Sequence, residues 1–172
     1  MAVYALGDLV PRIHPDAYVH PEATIIGDVT IGAGSTVWPQ AVLRGDDGAI
    51  VVGERSSIQD CAVVHTAPVS PTVIGDDCTV GHLAHLEACT MRDGSLAGVG
   101  SVIRHSVVVG EGALVGAGAV VLDGTEIPPA AVAVGVPARI RPDAADPDML
   151  VDAADSYARR GPRYKAELRR LD

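Results

Sequence analysis

The chain has 172 residues, enough for one domain. Its formal net charge of −9 argues against nucleic acid or an anionic membrane as partner, and no run of about 20 apolar residues offers a bilayer span. Hydrophobic residues make up 48% of it with no Phe and one Trp, which suits a narrow core filled by aliphatic side chains.

The opening segment MAVYALGDLV lacks a charged region followed by a long apolar one, so no secretory signal is expected and the chain is placed in the cytoplasm. Residues 1–22 read as a lead-in containing Pro11, Pro15 and Pro21. From Ile25 an aliphatic residue returns every six positions: Ile25, Ile31, Val37 and Leu43. A three-residue slip precedes Val52, Ile58 and Val64, and a four-residue insertion within 66–73 precedes Ile74, Val80 and Leu86. One position is then dropped, and Met91, Ala97, Ile103, Val109, Val115, Val121 and Ile127 follow. Of these 17 positions only Ala97 is small. A period of six is neither helical nor a plain strand alternation. It belongs to a β-helix, in which each short strand turns one residue inward before the chain rounds a corner. The expected fold is therefore mainly β: a parallel β-helix over 23–136.

The repeat ends at Val134-Gly135-Val136-Pro137, and a linker carries Pro142 and Pro147. Within 137–172, the spacing of Met149, Leu150, Ala153, Ala154, Tyr157 and Ala158, then Tyr164, Leu168 and Leu171, predicts a C-terminal helix interrupted at Gly161-Pro162. It is expected to pack on the β-helix or on a neighbouring subunit. Three cysteines, Cys61, Cys78 and Cys89, lack CxxC spacing and read as reduced, small apolar residues.

The inward register lets outward residues be stacked without coordinates. Leu43, Val64, Leu86 and Ile103 are each one turn apart once slips are counted, so Arg44, His65, Glu87 and Arg104 form one outward column. Asp60 and His82 form a second column on another face. His65 and His82 can then meet at one ion only if two chains pack face to face, as in a three-fold trimer.

Trp38-Pro39, Leu43-Arg44-Gly45-Asp46, Ile58-Gln59-Asp60, Val63-Val64-His65 and Val80-Gly81-His82, with Cys89-Thr90 and Tyr157, resemble the γ-class carbonic anhydrase family of left-handed hexapeptide β-helices. The resemblance covers nearly the whole chain. It implies about 18 residues per triangular turn, a homotrimer, and one metal at each subunit interface. It also implies zinc, with Fe, Co or Mn as alternatives, hydrating CO₂ to bicarbonate. His65 matches the first metal ligand and His82 the one supplied by the neighbour. Arg44 and Asp46 match an interface ion pair, Gln59 and Asp60 the polar groups beside the metal's water, and Asp47 a proton-shuttle position. Where the family has its third histidine, this chain has Glu87. Glu87 is a ligand completing a His₂Glu set, or a partner of Arg104, with His85 as a substitute ligand. His14, His20 and His105 read as surface or interface histidines. A carboxylate ligand lowers the site's charge by one relative to imidazole and favours harder ions. Two other functions stay open: a non-catalytic trimeric scaffold or binder, and a coenzyme A-dependent acyltransferase, which Gly135-Val136-Pro137-Ala138-Arg139 resembles.

Overall fold

The computed structural model describes residues 2–68 and 70–172; Met1, and Val69 in the 66–73 insertion, lie outside it. The hexapeptide beat folds as the sequence predicts. All 17 inward positions are at most 2% exposed. They stack in three files, one per face of a triangular coil. One file runs Val37, Ile58, Val80, Ala97, Val115, Ala133, and a second Ile25, Leu43, Val64, Leu86, Ile103, Val121. The third runs Ile31, Val52, Ile74, Met91, Val109, Ile127. The result is a left-handed β-solenoid of about seven turns with one C-terminal helix.

Each strand is mostly two or three residues long because a single inward side chain fills the interior before the chain must turn. Small residues sit two positions earlier, at the corners: Ala41, Ala62, Ala84, Ser101 and Ala119 are fully buried. The corner backbone needs a left-handed residue, and Gln40, Cys61 and Leu83 take φ near +60° where Gly100 and Gly118 stand on later rungs. A second corner carries a polar ladder. Ser35 Oγ accepts from Ser56 N at 2.9 Å, and Ser56 Oγ accepts from Cys78 N at 2.8 Å. Burial pushes the Cys78 thiol up to about 11 and the Cys89 thiol up to about 12, so both stay protonated.

Strand pairing begins upstream of residue 23. Ala2–Tyr4 and Arg12–Ile13 pair in parallel with Thr24–Ile31, and Tyr18–Val19 with Thr36–Val37. At the other end, antiparallel Arg139–Arg141 covers the open edge of Val132–Val134.

The two insertions leave the coil together. Between the pairs Gly27–Gly45 and Val29–Ile50, one residue, Asp28, stands opposite four, residues 46–49. That outward bulge carries Asp46 and Asp47. It leans on the 66–73 insertion, since a Cβ at Gly48 would lie 3.3 Å from both Ala67 O and Ser70 O.

Helix α1 (Pro147–Glu167) starts where the Asp146 side chain accepts hydrogen bonds from Asp148 N and Met149 N. It lies on its own chain's first face, against strands Tyr18–Val19, Thr36–Val37, Ser57–Ile58 and Thr79–Val80. The expected interruption at Gly161-Pro162 does not occur: the helix is continuous. Gly161 is buried against the coil, where a Cβ would come within 2.8 Å of Thr36 Cγ2, and this packing outweighs the helix-breaking tendency of Pro162. The rings that the coil cannot hold collect here. Trp38 meets Tyr157 and Tyr164 with centroids 5.3 and 4.9 Å apart, and Tyr18 closes the cluster. Among the described residues, no helix is long and apolar enough to cross a membrane.

Candidate metal centre

The outward column stands as the sequence predicts. Arg44 pairs with His65 and His65 with Glu87 across successive rungs, while Arg104 follows Ile103, the partner of Leu86. His65 is held between two carboxylates. Its Nε2 lies 3.1 Å from Asp46 Oδ1 and its Nδ1 lies 3.2 Å from Glu87 Oε1. Asp46 also takes an ion pair from Arg44. Burial would raise the Asp46 carboxyl, but Arg44, its own backbone N–H and His65 outweigh that and hold it below its ordinary value. Asp47, on the same bulge and exposed, completes a set with Asp46 and His65 whose ligand atoms all lie within 4.8 Å of one another.

Glu87 is more crowded than its column suggests. His85 Nε2 and His105 Nε2 each lie 3.4 Å from its Oε2. His105, read from sequence as a surface or interface histidine, turns toward the site; its Nε2 is shielded from solvent and forms no hydrogen bond. Arg104 Nη1 stands 4.0 Å from Glu87 Oε2, while its Nε bonds Asp123 at 3.1 Å. The guanidinium is thus shared between Asp123 and, at the limit of ion-pair distance, Glu87. Burial would raise the Glu87 carboxyl, but the imidazoles of His85, His65 and His105 outweigh it and hold it low.

The second column lies on another edge. His82 Nδ1 is 2.8 Å from Asp60 Oδ2, and His82 Nε2 is 3.3 Å from Tyr157 Oη on α1. Burial keeps the Tyr157 phenol protonated, despite the Arg160 guanidinium 4.6 Å over its ring. Asp60 accepts from Nδ1–H, and the phenol oxygen faces Nε2. Gln59, 6% exposed, precedes Asp60 on the rung below Val80–His82. One chain thus gathers Arg44, Asp46, Asp47, His65 and Glu87 at one edge, and Asp60, His82 and Tyr157, with Gln59 beside them, at another. It does not bring His65 to His82.

The donors at the first edge suit a metal ion. Ligand atoms 2.0–2.2 Å from a four-coordinate ion sit roughly 3.3–3.6 Å apart. The contact from His65 Nδ1 to Glu87 Oε1, at 3.2 Å, is close to such an edge. One imidazole between two carboxylates can bond to both, can give one N–H to Asp46 and share a cation with Glu87, or can do the reverse. The second arrangement is a carboxylate-backed histidine ligand, with the tautomer fixed by the outer carboxylate.

This combination of coil, insertions and histidine edges defines a class of hexapeptide-repeat protein with a candidate metal centre. Residues 11–45 match the family model described as bacterial transferase hexapeptide (six repeats). Over 168 residues the chain is 39% identical to Gamma carbonic anhydrase 1, mitochondrial, of Arabidopsis thaliana, covering 93% of this chain but 61% of that protein. It is 38% identical to the carnitine operon protein CaiE of Proteus sp., covering 87% of this chain and 76% of that one. Among solved structures, a hexapeptide transferase family protein from Anaplasma phagocytophilum superposes with a TM-score of 0.91 at 33% identity, covering 95% of this chain and 98% of that one. A Bacillus cereus protein provisionally assigned as an acetyltransferase superposes with a TM-score of 0.94 at 34% identity, covering 97% and 98%. The chain belongs to the hexapeptide-repeat family of γ-carbonic anhydrase and CaiE-like proteins.

Proposed function

We propose that the protein is a γ-carbonic-anhydrase-like hydratase of CO₂, with a divalent metal, zinc first, at each subunit interface of a homotrimer. His65 and Glu87 of one subunit and His82 of the adjacent one would hold it. The observation that carries this reading is the shared setting of the two histidines. Each has a carboxylate on one ring nitrogen, Asp46 for His65 and Asp60 for His82, and turns the other to a single further group, Glu87 for His65 and the Tyr157 phenol for His82. Such an ion, when bound, supplies the Lewis acidity that brings the pKa of water down to about 7, making it a nucleophile for CO₂.

This chain's own residues would do the rest. Asp46, pinned by Arg44, orients His65; Asp60 orients His82. Tyr157 releases His82 Nε2 when the adjacent subunit docks. Gln59 lies beside Asp60 to position the reacting water, and exposed Asp47 is placed to pass its proton to solvent.

A second reading has the compact set Asp46, Asp47 and His65 as the ligands, using His65 Nε2. Metal content separates the two: Asp47→Asn lowers it under the second reading and leaves it unchanged under the first. Acyl transfer finds less support. A groove of about 440 Å³ between α1 and the coils is lined by Asp77, Asp93, Glu111 and Asp155 against Arg55 alone, a field that repels coenzyme phosphates. The test is metal content and CO₂ hydration of trimeric wild-type protein. A metal-free, inactive trimer in excess zinc overturns the hydratase reading.

A further inference from the structure

The two oxygens of Glu87 face different partners. Oε1 faces His65 Nδ1 at 3.2 Å, while Oε2 faces His85 Nε2 and His105 Nε2 at 3.4 Å each. We propose that Glu87 Oε2, His85 Nε2 and His105 Nε2 form a second divalent-metal site, on the side of Glu87 away from His65. It would take a borderline transition-metal dication such as Zn²⁺ or Co²⁺.

Three features of the cluster point there. The first is distance. A charge-assisted N–H···O bond runs about 2.7–2.9 Å, and both contacts are longer at 3.4 Å. That length is the edge of a tetrahedron around an ion 2.0–2.2 Å from its ligands, roughly 3.4 Å. The second is the orphaned nitrogen. His105 Nε2 is closed to solvent with no hydrogen-bond partner, so it is a donor atom with nothing to do except face Oε2. The third is the chemistry of the set. Two imidazoles and a carboxylate make the His₂Glu donor group that suits zinc and its neighbours.

His85 and Glu87 come from one strand, two residues apart and so on the same outward side, and His105 comes from the corner after the next rung. Arg104 Nη1 stands 4.0 Å from Glu87 Oε2, while Asp123 holds its Nε at 3.1 Å. Among the described residues, Asp46, Asp47 and His65 are the group whose donor atoms already lie within 4.8 Å of one another. Binding must therefore draw the His85 and His105 rings toward each other. Both side chains are 37% exposed.

One chain supplies all three donors, so the site stands whether or not His65 and His82 share an ion. Where they do, a step that rests on the function proposed above, Glu87 bridges two ions through its two oxygens. The second dication would then offset the charge that Glu87 brings in place of an imidazole.

The test is Co²⁺ stoichiometry by equilibrium dialysis on chelator-stripped, full-length wild type, His65→Ala, and His85→Ala/His105→Ala. The expected result is loss of one ion per chain in the His85→Ala/His105→Ala variant, with the wild type binding two and His65→Ala one. A double variant that binds as many ions as wild type overturns the second site, as does a wild type that binds none. If His65→Ala binds as many ions as wild type while the double variant binds one fewer, the interface reading fails and the second site survives. Anomalous diffraction from wild-type crystals soaked in Co²⁺ needs no variant. A peak among His85, Glu87 and His105 supports the site, and none there overturns it.

Discussion

The His65 edge and the His82 edge are built differently. At the first, a histidine whose side chain is 17% exposed is clamped by carboxylates on both ring nitrogens, from the Asp46 bulge and the rung above. At the second, a histidine that is 42% exposed has one carboxylate on one ring nitrogen and the Tyr157 phenol 3.3 Å from the other. Under the proposed function, the first edge would be a preorganised half-site and the second a half-site completed by a neighbour. On that reading, the contrast is what divides one centre between two faces that oligomerisation would join.

The sharpest way to break that comparison is to remove each histidine in turn. His65→Ala and His82→Ala should cut CO₂ hydration by ~100-fold or more, since even outer-shell partners are worth 10–100-fold. Metal analysis should show equal loss of the interface ion despite their unequal burial. A His82→Ala protein that keeps its metal would assign the site to one chain.

The coil beneath the first edge should matter nearly as much. Leu86 is fully buried between His85 and Glu87 in sequence. Leu86→Ala should cost about 2–5 kcal/mol of stability, read by chemical denaturation. A cost below about 1 kcal/mol would mean that the coil does not hold the edge rigid.

The orienting carboxylates come next. Asp60→Asn should weaken interface metal affinity by about 10–100-fold, and Asp46→Asn by a similar factor. If Asp46→Asn abolishes binding while Glu87→Gln does not, the ion lies on the Nε2 side of His65, in the compact Asp46–Asp47–His65 set. The smallest effect is expected at Arg104. Its guanidinium is 41% exposed and 4.0 Å from Glu87, so Arg104→Leu should change stability by less than about 1 kcal/mol. A large loss on thermal denaturation would restore the Arg104–Glu87 pair as the reason for Glu87.

The interior was legible in the sequence because geometry leaves it no freedom. Each inward side chain is stacked on the same position one rung away, so only aliphatic residues recur and the slips show as broken periods. The column Arg44–His65–Glu87 and the pair Asp60–His82 followed from the same count. What the count could not give was direction at corners and in insertions. His105 lies two residues past Ile103, where the chain turns, and nothing in the period says that its ring folds back onto Glu87. The bulge at 46–49 announced itself as a slip, but not that it would set Asp46 against His65 Nε2. The unbroken helix across Gly161-Pro162 was hidden for another reason: local propensity favours a break, and only the contact of Gly161 with Thr36 overrides it.

The central claim is that His65 of one subunit and His82 of the next share an ion. Mixed trimers test it most directly. His65→Ala and His82→Ala chains each lack a complete interface site when alone. In a trimer containing both kinds, one interface joins an intact His65 to an intact His82. Co-refolding the two variants should therefore restore CO₂ hydration and add one ion per mixed trimer over the unmixed variants. Mixed trimers that form, by tag-affinity isolation, yet gain neither metal nor activity would contradict the account.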